Sequence, residues 1–350
     1  MQKAINLYLE ASDAPENVIS KFEKLVRTLP ILPKDPYDAV IAVSSHLKKE
    51  GFCYDSNNFT AQDVLNKRAG NCLGLPLIIG AILDSRDVAF TPRVLINPQD
   101  IISKEERKFV ERYNQEIAYD KPNLADPQIE SNSDESIGYR FVPLEHLVLV
   151  AGGRAFETTS TESGEVKGGE SERSITYAQA VSFVLKDRAI EKINNGETKE
   201  SKQLAERGLQ MWPENRELNG LCADIENMLG NYSVRQGFLE KYKTIGGNDS
   251  LFNYKLFFLE NNPAFLDNAL AIYPENALAI VEKAASLVQT DLRESRFLFG
   301  LASHLYAESS ILSLRDFYTR HVKELSQVFG AGEINARLRK YLNNQTKRTK

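Results

Sequence analysis

Apolar residues recur at helical spacing through most of the first 85 residues of the chain. Intervals of three and four residues between apolar side chains predict amphipathic helices over 18–29, 36–51 and 59–70. Asp35 and Pro36 open the second of these with a capping side chain and a first-turn proline, and Thr60 is placed to cap the third. This part of the chain is therefore expected to be mainly helical.

The pattern changes after the run RAGNCLGLPLIIGAIL (68–83), which is almost wholly apolar beyond Cys72. The run predicts a buried helix that Asn71 caps, with Cys72 as its first residue. VAFTPRVLI (88–96) is rich in β-branched residues and predicts a strand. EHLVLVAGGRAFETTS (145–160) predicts a hairpin of two apolar strands around a glycine pair.

The hairpin's register follows from the length of its turn. A loop of two residues, Gly152–Gly153, or of four, 151–154, makes paired residue numbers sum to 305, so that His146 faces Thr159 and Val148 faces Glu157. Since side chains alternate between faces, His146 and Glu157 become diagonal neighbours on one face. A loop of three or five residues would instead place Glu157 on the opposite face.

The rest of the chain divides into irregular and helical stretches. A charged helix is predicted over 103–117, a long Pro-, Asn- and Ser-rich loop over 120–136, and a glycine-rich loop over 161–171. From Ile175 onward the pattern is helix after helix. MWPENREL (211–218) and IYPENALA (272–279) share an aromatic-Pro-Glu-Asn core 61 residues apart, and MLGNY (228–232) is typical of a tight turn between antiparallel helices. Such a helical array resembles degenerate tetratricopeptide repeats.

Composition and charge exclude several classes of protein. A length of 350 residues allows about two domains, and 42% hydrophobic and 26% charged residues are ordinary globular values. A net charge of −5 gives no basic field for nucleic acid. Three cysteines without a CxxC pair argue against a disulfide framework and a thiolate zinc site. We find no signal peptide, no apolar stretch of membrane-spanning length, and no nucleotide or metal motif. A cytoplasmic protein with neither cofactor nor metal is expected.

Cys72 is the main candidate for chemistry. At a helix start, backbone N–H groups and the helix dipole favour an anion, which suits a reactive thiolate and an oxyanion. The other interpretation is that a single cysteine beside an apolar run is a core residue. His146, beside Glu157, is placed to act as a base that the carboxylate orients. Asn66, Asn71 and Thr159 are candidate oxyanion or supporting residues.

In order along the chain, an Arg-x-Gly-x-Cys motif opens an apolar helix, a strand follows, and His and an acid lie on a hairpin. This arrangement resembles the transglutaminase-like superfamily, which has a papain-type Cys-His-Asp fold, and within it the SirB-type proteins that carry helical repeats. The matching residues are Arg68, Gly70, Cys72, His146, Glu157 and Thr158. The resemblance implies a Cys72-His146-Glu157 triad, with Glu in place of the usual Asp.

Together these features predict an α+β, papain/transglutaminase-like domain over 1–185, an all-α tetratricopeptide-like domain over 186–340, and a basic flexible tail over 341–350. One hypothesis is a cysteine peptidase or acyltransferase that acts on a peptide or isopeptide bond, with hydrolysis favoured over cross-linking. The alternative is a catalytically inactive protein whose repeats bind a protein partner. Neither hypothesis involves nucleic acid or a membrane, and the oligomeric state stays open.

Overall fold

The computed structural model describes residues 4–55, 57–98, 124–125, 145–157, 169–247, 249–274, 276–308 and 314–348. The described helices are α1 Ala4–Ala11, α2 Glu16–Arg27, α3 Pro36–Lys49, α4 Ala61–Lys67, α5 Gly74–Ser85, α6 Tyr177–Asn194, α7 Thr198–Met211, α8 Arg216–Met228, α9 Tyr232–Ile245, α10 Ser250–Glu260, α11 Ala264–Ile272, α12 Ala277–Leu287, α13 Leu292–Glu308, α14 Leu314–Arg320, α15 Val322–Phe329 and α16 Ala331–Arg348. The described strands are β1 Cys53–Tyr54, β2 Ala69–Gly70, β3 Thr91–Pro98, β4 Glu145–Ala151, β5 Arg154–Phe156 and β6 Gly169–Ser174. The protein is thus mostly helical with a small amount of sheet.

The chain divides into two compact units that interleave in sequence. The first comprises Met1–Pro98 and Glu145–Gly247, and the second Gln99–Leu144 and Asn248–Lys350. This division differs from a boundary at residue 185, because α6 runs through that position without a break. Helix α16 likewise runs to Arg348, where a flexible tail is predicted from 341 onward. In the part of the chain that the structure describes, no helix combines the length and apolar character needed to cross a bilayer.

Local capping signals place the first helices of the first unit. The Asp35 side chain accepts a hydrogen bond from the Asp38 amide, with Pro36 in the first turn of α3. Thr60 caps α4 in the same way through the Asp63 amide. Helix α4 ends at Lys67 with Arg68 in the left-handed region, at φ 52°, so it stops before Gly70, which pairs in β2 instead.

Four strands form an antiparallel sheet in the order β5-β4-β3-β6. In the hairpin, Leu149 pairs with Phe156 and Ala151 with Arg154, which confirms the predicted sum of 305. Gly152 and Gly153 form the two-residue turn, with φ of 56° and 78°, values that favour glycine. Strand β3, Thr91–Pro98, begins and ends a few residues later in the chain than the strand predicted over 88–96.

Strand β6 corrects the prediction for the end of this region. Part of the glycine-rich loop predicted over 161–171 is the start of an edge strand that pairs with β3. Its sequence, GESERS, has no apolar alternation, so periodicity does not reveal it. Arg93 and Glu172 bridge the two strands with a 3.1 Å ion pair.

The core of the first unit surrounds α5, whose residues from Gly74 to Leu83 are all buried. Helices α1, α3 and α6 and strand β4 pack against α5. The Tyr177 hydroxyl at the start of α6 donates to the Leu77 carbonyl of α5 at 2.8 Å. Helix α5 is thereby held in the middle of the unit, and the residues that precede it are fixed in place.

The two aromatic-Pro-Glu-Asn motifs form equivalent turns, one in each unit. Trp212 ends α7 and Tyr273 ends α11, and each carbonyl accepts from the amide of the motif's asparagine. Asn215 and Asn276 then cap the next helix with their side chains. The predicted MLGNY turn is also present, between α8 and α9, with Gly230 at φ 76°. The sequence repeat is therefore a structural repeat.

Candidate active site

Asn71 organises the start of α5. Its side-chain oxygen accepts from the amides of Leu73 and Gly74, both at 2.9 Å, and its carbonyl accepts from the Leu75 amide at 3.1 Å. Asn71 therefore caps this turn as predicted, but the regular helix begins at Gly74 and not at Cys72. The physical reason is Pro76, which has no N–H to bond the Cys72 carbonyl.

Close packing around Gly74 fixes the turn at the start of α5. A Cβ atom on Gly74 would lie 2.7 Å from Cγ2 of Val64 and 2.9 Å from the Asn58 carbonyl oxygen. The Asn71 amide also donates to that carbonyl, at 2.8 Å. Since only glycine fits at position 74, Cys72 is held two residues from a point where α5 touches its neighbours.

His146 and Glu157 meet as the hairpin register predicts. Nε2 of His146 lies 2.5 Å from Oε2 of Glu157, and both side chains are buried. His146 lies near the start of β4, at the end of the strand away from the hairpin turn, where it pairs with Leu95 of β3. Glu157 follows directly after β5. Two adjacent strands therefore deliver an imidazole and a carboxylate to one point.

The His146 side chain also forms a hydrogen bond with the Cys72 side chain. Burial alone lowers the pKa of His146, but the negative charge of Glu157 and the hydrogen bonds with Cys72 and Glu157 raise it from 6.5 to about 10. An imidazole with this pKa is protonated at neutral pH.

Cys72 is half-buried and opens onto a pocket of about 370 Å³, its mouth included. The lining residues are Asn71, Cys72, Leu73, Val94, His146, Leu147, Phe183, Lys186 and Asp187. The last three lie on α6 and are not among the residues predicted from the sequence. Lys186 lies 4.9 Å above the Phe183 ring and 3.9 Å from Asp187. A charged pair in an amphipathic helix is an ordinary surface pattern, so no local signal identifies these residues.

The remaining candidates separate into two groups. Asn66 does not line the pocket: it is exposed on α4, where its side-chain oxygen accepts from Lys21. The expectation of an oxyanion role for Asn66 is therefore not met, because the helical position turns this side chain toward solvent. Thr158 and Thr159 lie outside the described residues, as do the helix predicted over 103–117 and most of the loop over 120–136.

The arrangement brings together a partly exposed thiol, a buried imidazole and a buried carboxylate beside an open pocket. A thiol with an adjacent imidazolium is a nucleophile, and the carboxylate fixes the ring's orientation. Among the residues described, no group of three or more His, Cys, Asp and Glu side chains is placed to hold a metal ion. The chemistry available from these side chains is nucleophilic attack with proton transfer.

Arg68, which belongs to the motif around Cys72, has a structural position. Its guanidinium donates to the Glu50 carbonyl, and its own carbonyl accepts from the Cys53 amide. These bonds join the end of α3 to the short β1–β2 pair. Arg68 therefore supports the segment that leads to Cys72 and does not contact the pocket described above.

Comparison with known proteins adds no assignment: no family model, no curated protein and no solved structure matches the chain.

Proposed function

We propose that the chain is a cysteine-dependent amide hydrolase or acyltransferase of the transglutaminase-like type, with Cys72 as nucleophile, His146 as proton donor and acceptor, and Glu157 as the residue that orients His146. The observation that carries the proposal is the chain of contacts from the Cys72 side chain through the His146 ring to Glu157. The order of these parts is that of papain-type enzymes, and a peptide or isopeptide bond is the substrate class.

These three side chains can carry out both the acylation and the deacylation step. The Cys72 thiolate attacks the amide carbonyl carbon and forms a C–S bond, while the protonated His146 transfers its proton to the departing amine nitrogen as the C–N bond breaks. Water, or an acceptor amine, then attacks the thioester and gives a proton to His146. The C–S bond breaks, and the thiolate and the imidazolium are restored.

The oxyanion formed in the attack requires a hydrogen-bond donor near Cys72. The amides of Leu73, Gly74 and Leu75 all bond to Asn71, and Pro76 has no amide hydrogen. In the proposed mechanism we assign the oxyanion to the Cys72 amide. Lys186 and Asp187 line the same pocket and are the charged side chains that a bound substrate would meet there.

The chain contains two cysteines that serve as internal references. Cys53 is exposed on β1, whereas Cys222 is buried in α8, where desolvation raises the pKa of its thiol to about 12. We would alkylate the full chain with iodoacetamide between pH 5 and 9 and measure the rate at each cysteine by peptide mass spectrometry. We expect Cys72 to react faster than Cys53 at pH 6, and Cys222 to stay unmodified.

Two histidine variants separate the triad from a general effect of pH. His146→Ala is expected to remove the excess reactivity of Cys72 at low pH and to leave Cys53 unchanged. His46→Ala, on α3 beside Thr28, is the matched control and should change neither. If Cys72 reacts in parallel with Cys53 in all three proteins, the thiol is not activated and the proposal is wrong.

A second measurement tests group transfer directly. An N-acylglycine 4-nitrophenyl ester should release close to one equivalent of nitrophenolate in a burst as Cys72 is acylated, followed by slower turnover. Cys72→Ala should abolish the burst, and Cys53→Ala should keep it. An activated Cys72 that is not acylated would favour the alternative of a binding protein.

A further inference from the structure

Leu124 and Ala125 are held within the second unit by side chains from three of its helices. The Ala125 amide donates to Oγ of Ser303 at 3.0 Å, and the Ala125 carbonyl accepts from the Tyr318 hydroxyl at 2.9 Å. Nη1 of Arg337 donates to both carbonyls, at 3.2 Å to Leu124 and 2.8 Å to Ala125. Four hydrogen bonds thus bind the main chain of two residues.

Burial or hydrogen bonds within the second unit hold the three binding side chains in position independently of the segment. Ser303 and Tyr318 are fully buried on α13 and α14. Ser303 donates its own hydroxyl hydrogen to the Gly300 carbonyl, which leaves its oxygen to accept from an amide. Glu333 binds the Arg337 guanidinium through Nε and Nη2, so Nη1 is directed away from Glu333 and toward the segment. The site is therefore preorganised.

The segment itself belongs to no helix, strand or turn, and yet it is almost fully buried. Leu124 is 4% exposed and Ala125 1% exposed, and both join the apolar cluster of the second unit. Its main-chain groups could not be satisfied by regular secondary structure, so side chains take that role. This is the pattern of a bound peptide rather than of a folded element.

We propose that the second unit contains a binding site for a short, non-helical peptide segment with a leucine-alanine core, and that Leu124–Ala125 of the chain itself is the resident ligand. The four hydrogen bonds are made to backbone groups of the segment, so they do not select for the side chains of the peptide. Selectivity comes from burial: position 124 takes a leucine-sized apolar group, and position 125 takes only a small one. The ligand class is a peptide whose two central residues are uncharged and apolar.

The resident segment sets the conditions under which any other peptide binds. A tethered ligand binds in an intramolecular step, with an effective concentration that does not fall on dilution of the protein. A peptide of the same chemistry in solution therefore competes poorly while Leu124–Ala125 is bound. A change that weakens the resident segment exposes the site to partner proteins with an equivalent segment.

The first experiment measures occupancy in the full chain by hydrogen exchange of the segment around Ala125. Arg337→Gln removes two hydrogen bonds from a charged donor, and Ser303→Ala removes the acceptor of the Ala125 amide. Each charged hydrogen bond is worth about 10- to 100-fold in an equilibrium, so we expect exchange to rise at least tenfold in Arg337→Gln. Arg339→Gln, two residues along the same helix and bonded only locally to the Asn335 carbonyl, is the control and should match the unaltered chain.

The second experiment measures binding of a probe. A fluorescently labelled synthetic peptide with the sequence of residues 120–129 is titrated into the unaltered chain and into Leu124→Asp, in which a buried charge expels the resident segment. We expect the peptide to bind Leu124→Asp at least tenfold more tightly than the unaltered chain. Addition of Arg337→Gln to Leu124→Asp should reverse that gain, and addition of Arg339→Gln should not.

Two results would overturn the proposal. One is exchange around Ala125 that is already unprotected in the unaltered chain, or that rises equally in Arg337→Gln and Arg339→Gln. The other is a folded Leu124→Asp chain, judged by circular dichroism, that fails to bind the peptide. If Leu124→Asp does not fold, the exchange measurement on the mild arginine variants decides the question alone.

Discussion

The two units each surround a small set of buried polar side chains, but the two sets differ in how they carry charge. In the first unit, His146 and Glu157 form a pair whose charges depend on bound protons. In the second, Arg337 keeps its charge at any ordinary pH, and Ser303 and Tyr318 contribute neutral hydroxyls. A set that exchanges protons suits chemistry, whereas a set with fixed donors suits binding. The comparison predicts that a pH change above neutrality alters the His146–Glu157 pair and leaves the hydrogen bonds to Leu124 and Ala125 unaffected.

The largest effect should come from Glu157→Gln. This change removes the charge that holds a proton on His146, so we expect the pKa of His146 to fall well below its value of about 10, because burial alone lowers it. Titration of the imidazole nitrogens by NMR measures it directly. A pKa of His146 that stays near 10 in this variant would show that Glu157 does not control the protonation of the ring. As a control in the second unit, hydrogen exchange around Ala125 should be the same in the variant and in the unaltered chain.

The same pair gives the stability of the first unit a pH dependence. Because the folded-state pKa of His146 is raised, the folded protein holds a proton that the unfolded chain loses above pH 6.5, so the stabilisation is fully present below pH 6.5 and is lost as pH rises toward 10. The slope is at most about 1.4 kcal/mol per pH unit. Trp212, the single tryptophan, lies in the first unit and reports its urea unfolding. We expect the stability difference between the unaltered chain and Glu157→Gln to narrow from pH 7 to pH 9.5. A constant difference would contradict the assigned protonation.

Gly74→Ala tests the packing that fixes the start of α5. The added methyl would overlap Val64 and the Asn58 carbonyl, so we expect a loss of about 1–3 kcal/mol in the free energy of unfolding, together with slower alkylation of Cys72. Gly237→Ala, on α9 with nothing within 4 Å, is the matched control and should stabilise the chain by about 0.5–1 kcal/mol. Equal effects of the two substitutions would rule out the close contact.

The smallest effect compares the two repeated turns. Asn215→Ala and Asn276→Ala each remove a helix cap, at a cost of about 1 kcal/mol. Asn215 also donates to Oγ of Ser182 at 3.3 Å, so its substitution should cost about 0.5–1 kcal/mol more. Urea denaturation measures both losses. A larger loss of stability for Asn276→Ala than for Asn215→Ala would contradict a stabilising role of the Asn215–Ser182 hydrogen bond.

Local chemistry explains what the sequence predicts well. The glycine pair at 152–153 determines the turn, the turn determines the register, and the register brings Glu157 to His146. Each step spans a dozen residues or fewer. The caps at Asp35 and Thr60 are local in the same sense.

Features that depend on distant partners are not predictable in this way. Strand β6 has a polar sequence and is defined by pairing with β3, some 75 residues earlier in the chain. The pocket wall on α6 depends on how that helix packs, and burial of Leu124–Ala125 depends on residues 178 to 213 positions away. The interleaving of the two units is of the same kind, because a segment of one unit is inserted into the sequence of the other and no local pattern marks it. Helix α5 is an intermediate case, since Pro76 signals an irregular start but does not give its position.

The distance in sequence between Leu124–Ala125 and its binding residues has a consequence for biosynthesis. A ribosome adds about 5–20 residues per second, so the 178 residues that separate Ala125 from Ser303 and the 212 that separate it from Arg337 take roughly 10–40 s to translate. All residues of the first unit, which ends at Gly247, are synthesised before any of the three binding side chains exists. Cys72, His146 and Glu157 are therefore available to assemble while Leu124 and Ala125 are still without the side chains that bury them.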